Sequence, residues 1–340
     1  MDRLYCTVKE LIDDLLPNTG GNEAALLDAI QFASDFIDND LGAFIPFTAT
    51  KYFDGNGRDI LFVPPLLSIT TLIDDGSTLA STDYILYPRS KHWEDGPYSW
   101  IAHDPDGNYS EWTQEMDIIS IAGSWGKYSK TLVTGATVQN NPLAIGDTAL
   151  VVADGSKLSP GMVLKIESEQ ALVNATGAVT AAATTVTEAV ALSDDTITLA
   201  SAVLVMVGET IRIDLEKMLI LDINATTKVA YVARGWNGTK QTSHADNASV
   251  DVYRTFTITR GVNGTTAAQH AAATAISRYI PPAPVARLCR MIAGLWKRLA
   301  DSQYAGRTAN VELGQVFYND AFPKRELEEI RTMYNYEVNV

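Results

Sequence analysis

The chain has 340 residues, 46% of them hydrophobic and 20% charged, and carries a formal net charge of −15. That balance supports a packed core and leaves room for two domains of ordinary size, and it excludes wholesale disorder. A chain this acidic does not grip DNA by neutralising phosphates, because that mode takes clustered Lys and Arg.

Apolar runs are short and broken by polar residues, well under the roughly 20 residues that span a bilayer. The opening MDRLYCTVKELIDDLLP has no small-residue cleavage site and does not read as a signal peptide. The two cysteines, Cys6 and Cys289, stand almost a chain length apart. That argues against a disulfide framework and for reduced thiols in a cytoplasmic setting. Residues 1–130 hold 21 acidic and 8 basic side chains, whereas residues 281–340 hold 7 and 8. Solubility is the plain reading of the acidic excess; a surface that repels DNA and lets it slide past is the sharper one.

The first segment reads as helical. Val8, Leu11, Ile12, Leu15 and Leu16 share a face until Pro17 stops the run. Residues 23–41 repeat the pattern with Leu26, Leu27, Ile30, Ala33, Phe36, Ile37 and Leu41, and Gly42 is placed to cap the end. The period then shortens to that of strands. Tyr52 and Phe53 flank a turn at Asp54–Gly57, with Ile60–Val63 beyond it, which predicts a hairpin. A second turn falls at Asp74–Gly76, residues 94–112 read as an exposed loop, and residues 116–128 as another strand.

Residues 131–280 are rich in Val, Thr, Ala and Gly, and they repeat internally. RGWNGT at 234–239 returns as RGVNGT at 260–265, and His244 returns as His270, both at an offset of 26. PGMVLKIESEQALV at 160–173 matches VGETIRIDLEKMLI at 207–220 at an offset of 47, pairing Gly161 with Gly208 and Glu169 with Glu216. Such repeats predict a small sandwich or barrel-like module built by duplication. Helix returns after Pro281, Pro282 and Pro284, with Val285, Leu288, Ile292, Leu295, Trp296 and Leu299 on one stripe. Pro323 opens a final helix whose inner face is Leu327, Ile330 and Tyr334.

These elements predict an α+β chain. Its core is a helical bundle formed by the N- and C-terminal segments with small β-hairpins, and an all-β domain is inserted. The divisions are 1–130, 131–280 and 281–340.

The order of elements, with ATKYFDGNGRDILFVPPLLSITTLIDDGSTLASTDYILYP at 49–88, DIISIAGSWGKY at 117–128 and the Pro-led helix at 282–301, resembles the phage head-tail connector (head-completion or adaptor) family. In that family the Gly-Trp/Tyr-Gly strand leads almost at once into the Pro-led helix; here residues 129–281 intervene. The insert is similar to repeated modules of phage virion proteins. The resemblance implies a structural, non-enzymatic virion protein at the head-tail interface, made in the host cytoplasm. Its partners would be the portal protein, copies of itself in a ring (a dodecamer in many members) and the next tail-side protein. The insert would reach capsid or tail, and DNA would pass through the channel without sequence-specific binding. Family position and aromatic character nominate Arg307, Val311, Phe317, Tyr318 and Phe322 as portal contacts.

No constellation of residues points to catalysis, a cofactor or a metal. His92 and His103, near Glu94, Asp95, Asp104 and Asp106, match no standard ligand spacing and read as an exposed polar loop. His244 and His270, being repeat-related, suggest structural hydrogen bonds to backbone. DPDGNYSE at 104–111 lacks the twelve-residue spacing with a terminal Glu that a calcium loop has. The cluster Trp93, Tyr98, Trp100, Tyr109, Trp112 and Trp125 reads as a staple of loop to sheet. The competing reading is a carbohydrate- or receptor-binding surface of a tail accessory protein.

Overall fold

A computed structural model describes residues 2–15, 22–89, 97–301, 307–310, 315–318 and 322–334. Helix α1 (Val8–Leu15) begins with a reciprocal capping box. The Thr7 hydroxyl accepts from the Glu10 N–H (3.1 Å), and the Glu10 carboxylate accepts from the Thr7 N–H (3.0 Å). In α2 (Glu23–Leu41) the Asn22 side chain accepts from the Ala24 N–H, and Gly42, at φ +81°, donates its N–H to Asp38. Helices α3 (Ala283–Asp301) and α4 (Lys324–Met333) complete the helical body. Leu26, Ile30, Ala33 and Ile37 of α2 share one buried cluster with Leu288, Cys289 and Ile292 of α3 and with Leu327 and Ile330 of α4. The residues ahead of α1 enter it too. Tyr5 is buried, its hydroxyl donating to Asp38 and accepting from the Phe44 N–H (2.9 Å), while Arg3 pairs with Asp38 at 2.7 Å.

Six strands follow: β1 (Phe47–Phe53), β2 (Ile60–Asp74), β3 (Ser77–Thr78), β4 (Tyr84–Tyr87), β5 (Tyr98–His103) and β6 (Ile119–Trp125). They form one antiparallel sheet in the order β1-β6-β2-β5-β4, with β3 on the end of β2. The hairpin expected around Asp54–Gly57 does not form, because β6 lies between β1 and β2 and pairs with both. Strand β2 runs through Pro64 and Pro65, which cannot donate to a ladder. Pairing with β5 breaks between Phe62 and Leu66, and pairing with β6 starts at Leu66. The two prolines thus sit where β2 changes partners. At the other turn, Asp75 and Gly76 both take positive φ and close a short hairpin between β2 and β3.

The repeated region contains β7 (Thr131–Thr137), β8 (Ala149–Val151), β9 (Val163–Ile166), β10 (Glu169–Thr176), β11 (Thr180–Thr185), β12 (Thr196–Thr198), β13 (Thr210–Ile213), β14 (Glu216–Asn224), β15 (Val229–Ala233), β16 (Ser249–Val252), β17 (Thr255–Arg260) and β18 (Ala275–Tyr279). These make two antiparallel sheets, ordered β7-β18-β9-β10-β17-β8 and β11-β16-β13-β14-β15-β12. Moving each first-half strand of the first sheet forward by the 47-residue repeat, and each second-half strand back by 26, turns the first order into the second. The two sheets are therefore copies, and one is nested in the other. The inner copy occupies the connection between β10 and β17, where the inner copy itself has only the turn between β14 and β15. Each copy has its own core: Leu150, Leu164, Ile166, Val173, Ile258 and Ile276 outside, and Ile197, Ile211, Ile213, Met218, Ile220 and Val250 inside.

The expected helical-bundle core with small hairpins is thereby corrected. Strand makes up 37% of the structure and helix 21%, and three six-stranded sheets dominate. The physical reason is non-local pairing: strands that look like isolated hairpins locally are completed by partners far along the chain. Beyond α3, β19 (Arg307–Asn310) and β20 (Gln315–Tyr318) pair with each other as a separate two-stranded sheet. No described helix is long and apolar enough to cross a membrane.

Candidate functional site: a duplicated buried cluster and its docking turn

Glu169 begins β10 and is wholly buried. Its carboxylate accepts from Arg260 Nε and Nη2 (2.5 and 2.7 Å) and from the N–H groups of Gly261 (3.1 Å) and Ala268 (3.0 Å). His270 Nε2 lies 2.8 Å from the same carboxylate, and His270 Nδ1 lies 2.8 Å from Glu167. Arg260 also donates to the carbonyls of Ala144 and Ala268. The inner copy repeats these contacts and adds one, from Arg234 Nη1 to the Asp194 carbonyl (2.8 Å). Glu216 accepts from Arg234 Nε and Nη2 (2.8 and 2.9 Å) and from the N–H groups of Gly235 and Thr242 (both 2.9 Å). His244 bridges Glu216 (2.9 Å) and Asp214 (2.7 Å), and Arg234 donates to Ala191 and Thr242.

Burial alone would raise the pKa of each glutamate. The guanidinium, the backbone N–H groups and the histidine outweigh it and hold Glu169 and Glu216 down to about 2. The arrangement is a closed charge network, with both nitrogens of each buried histidine engaged and no open position for a substrate. The partners of His244 and His270 are carboxylates, not the backbone groups expected; their backbones pair with Val190 and Leu143.

The cluster shapes the turn that follows each arginine, and that turn is the joint to the rest of the protein. In the outer copy the Asn263 carbonyl accepts from the Thr48 N–H (2.8 Å), just inside β1. Asn263 Nδ2 donates to Gln170 (2.9 Å), whose own amide donates to the Pro46 carbonyl (2.9 Å). Gly264 sits at φ +76°, and a Cβ there would lie 2.0 Å from the Thr48 carbonyl oxygen. In the inner copy Asn237 Oδ1 accepts from the Glu23 N–H (2.8 Å), the first residue of α2. The Glu23 carboxylate reaches across to the N–H and hydroxyl of Thr176, at 2.7 Å each. The variable residue of the motif, Val262 in one copy and Trp236 in the other, packs on the helical core both times. A cavity of about 70 Å³ lined by Lys9, Glu23, Ser156, Trp236 and Tyr253 lies at the inner joint. A second weld ties the copies together: Glu209, wholly buried, accepts from Arg254 (2.7 and 3.0 Å) and from the Gly155 N–H (2.9 Å). The repeat marked these turns in the sequence; that they face the helices was not visible there.

The nominated portal contacts fall in different settings. Arg307 pairs with Tyr318 across the β19–β20 ladder, and Phe317 pairs with Thr308. Val311 lies outside the described residues. Phe322 is half-buried, its ring 5.3 Å from that of Phe36 on α2, so it belongs to the helical body.

His92, Trp93, Glu94 and Asp95 lie outside the described residues. His103 is not in an exposed loop. It ends β5, buried against Trp112 with ring centroids 4.1 Å apart, and burial lowers its pKa. Asp104 accepts from the Asp106 N–H, and Asp83 accepts from Asn108 twice, so this loop folds on its own oxygens. Among the described residues no group of three His, Cys, Asp or Glu could hold a metal ion. Trp112 and Trp125 are buried in the core of the first sheet, while Trp100 is half-exposed and stacks on Tyr87 at 3.9 Å. No family model, no curated protein and no solved structure matches the chain.

Proposed function

We propose that this protein is a structural subunit of a phage head-tail connector, forming a ring that docks on the portal and lets DNA pass through. The observation that carries the reading is the joining of α2 and α3 into one body, from which the strand-rich region between them loops out. The β19–β20 hairpin adds to it. A two-stranded hairpin is marginal alone in water, and this one pairs with no third described strand. A neighbouring chain would complete it, with Arg307, Phe317 and Tyr318 at the contact. The nested modules face capsid or tail, and the ring gains its strength by repeating weak contacts.

Negative-stain microscopy of the purified chain mixed with the portal protein of its phage tests this. Rings on the portal support it; chains that stay separate from the portal at micromolar concentrations reject it. A second reading, a carbohydrate-binding virion protein, draws on one feature. Phe62, Trp100 and Tyr87 lie side by side on adjacent strands, with Phe62 exposed and Trp100 and Tyr87 half-exposed. Glycan-array binding that disappears in Trp100→Ala would favour that reading over the connector.

A further inference from the structure

The two cysteines are 283 positions apart in the chain, yet their sulfurs lie 3.3 Å apart, both buried in the helical body. Cys6 precedes α1 and Cys289 sits in the middle of α3, so the pair joins the segment ahead of α1 to α3. The packing that brings them together is extensive: Leu4, Tyr5, Val8, Leu11, Leu288 and Ile292 surround them in one cluster. The Ser34 hydroxyl lies 3.4 Å from the Cys289 sulfur. Both side chains are free thiols here.

We propose that Cys6 and Cys289 are a disulfide site, whose bond staples the segment ahead of α1 to α3 and encloses the three six-stranded sheets in one covalent loop. A disulfide needs sulfurs at roughly 2.05 Å, so the pair has about 1.3 Å to close, within reach of side-chain rotation. The oxidant is a small-molecule disulfide such as oxidised glutathione. One thiolate attacks it, releasing one glutathione thiolate and forming a mixed disulfide. The second cysteine, as its thiolate, then attacks the protein sulfur of that adduct and expels the second glutathione. Two protons leave the protein, two electrons reduce one glutathione disulfide to two thiols, and one S–S bond forms.

Burial and the neighbouring Cys289 sulfur raise the Cys6 pKa, and burial also bars the oxidant, so the native pair reacts slowly. Formation therefore follows opening of the N-terminal segment, or folding itself in an oxidising medium. The site rests on geometry alone and stands whether or not the connector reading does. If the protein is a virion part, the staple would close after the particle leaves the reducing cell.

The test is refolding of the full chain in oxidised glutathione, followed by peptide mapping without reduction. The expected result is a mass about 2 Da lower, a peptide linking Cys6 to Cys289, and a melting temperature higher by on the order of 5–10 °C that falls back on reduction. Cys6→Ser should abolish both the link and the shift while folding as the reduced protein does. Two free thiols, glutathione adducts that never resolve, or a link between separate chains would each overturn the proposal. Portal binding measured on the oxidised and reduced forms reads the connector hypothesis separately.

Discussion

Replacing Glu216 by Gln should cut the inner module loose while leaving the outer one standing. The substitution keeps size and removes the charge that faces Arg234, whose side chain is only 4% exposed. A carboxylate held at about 2 instead of its ordinary 4.5 is stabilised in its ionised form by roughly 3 kcal/mol. Breaking one side of a buried ion pair costs on the order of 3–5 kcal/mol by independent reasoning, so the loss should be about 3 kcal/mol. Because the inner core shares none of its buried residues with the outer core, the loss should be local. Hydrogen exchange followed by mass spectrometry should show amides in 210–233 exchanging roughly a hundredfold faster, at 1.4 kcal/mol per tenfold, with 163–173 little changed. Glu169→Gln should behave differently. Val163, Leu172 and Val262 of the outer copy belong to the helical core, so exchange should rise in α2 and α3 as well. A loss below about 1 kcal/mol for Glu216→Gln, or equal acceleration throughout the chain, would refute the account of two separately cored copies welded by buried charge.

The same carboxylates set an acid limit. Both have folded pKa values depressed to about 2, so their stabilisation is complete above the unfolded value of 4.5 and drains as pH falls toward 2. Between pH 7 and pH 3 each should lose about 2 kcal/mol; urea denaturation at the two pH values measures it, and Glu216→Gln should show a smaller drop than the parent. Gly264→Ala should lower stability by more than about 2 kcal/mol, since it adds a collision with the Thr48 carbonyl to a positive φ, whereas Gly76→Ala, at φ +74° with nothing near, should cost only about 1 kcal/mol; thermal melts of the two proteins compare them. Replacing residues 178–254 by the inner turn Ala225–Lys228 should leave a folded protein, because Gly177 and Thr255 occupy the repeat positions of Asn224 and Val229, which that turn already joins. Circular dichroism and a cooperative melt would show it, and an unfolded product would contradict the nesting.

The helices and the repeats were legible in the residues, the sheet-dominated fold was not, and what was missed has a common cause. Helices showed through their stripes: Leu26, Ile30, Ala33 and Ile37 are buried where their spacing puts them. Glu169 and Glu216, and the two RGxNGT turns, stood out as repeats. What periodicity cannot carry is pairing at a distance. Nothing local to Phe47–Phe53 says that its neighbour is Ile119–Trp125 rather than the strand across the Asp54–Gly57 turn. The two cysteines are free thiols, as expected, but their closeness was hidden for the same reason, since separation along the chain is no guide to separation in space once α3 folds back on the N-terminal segment. His103 read as part of a polar loop because the apolar residues that bury it, such as Trp112, act through tertiary contact.

Nesting one module inside another also fixes an order of events during synthesis. The inner sheet has all its strands once residue 252 is made, before the outer sheet receives its last two, β17 and β18. The helical body is last, for Leu4, Tyr5 and Val8 have no α3 to cover them until the ribosome has passed residue 301. The chain therefore matures from the inside outward, and its N-terminal apolar residues wait exposed through most of translation. That is the interval in which a growing chain is most prone to stick to its neighbours.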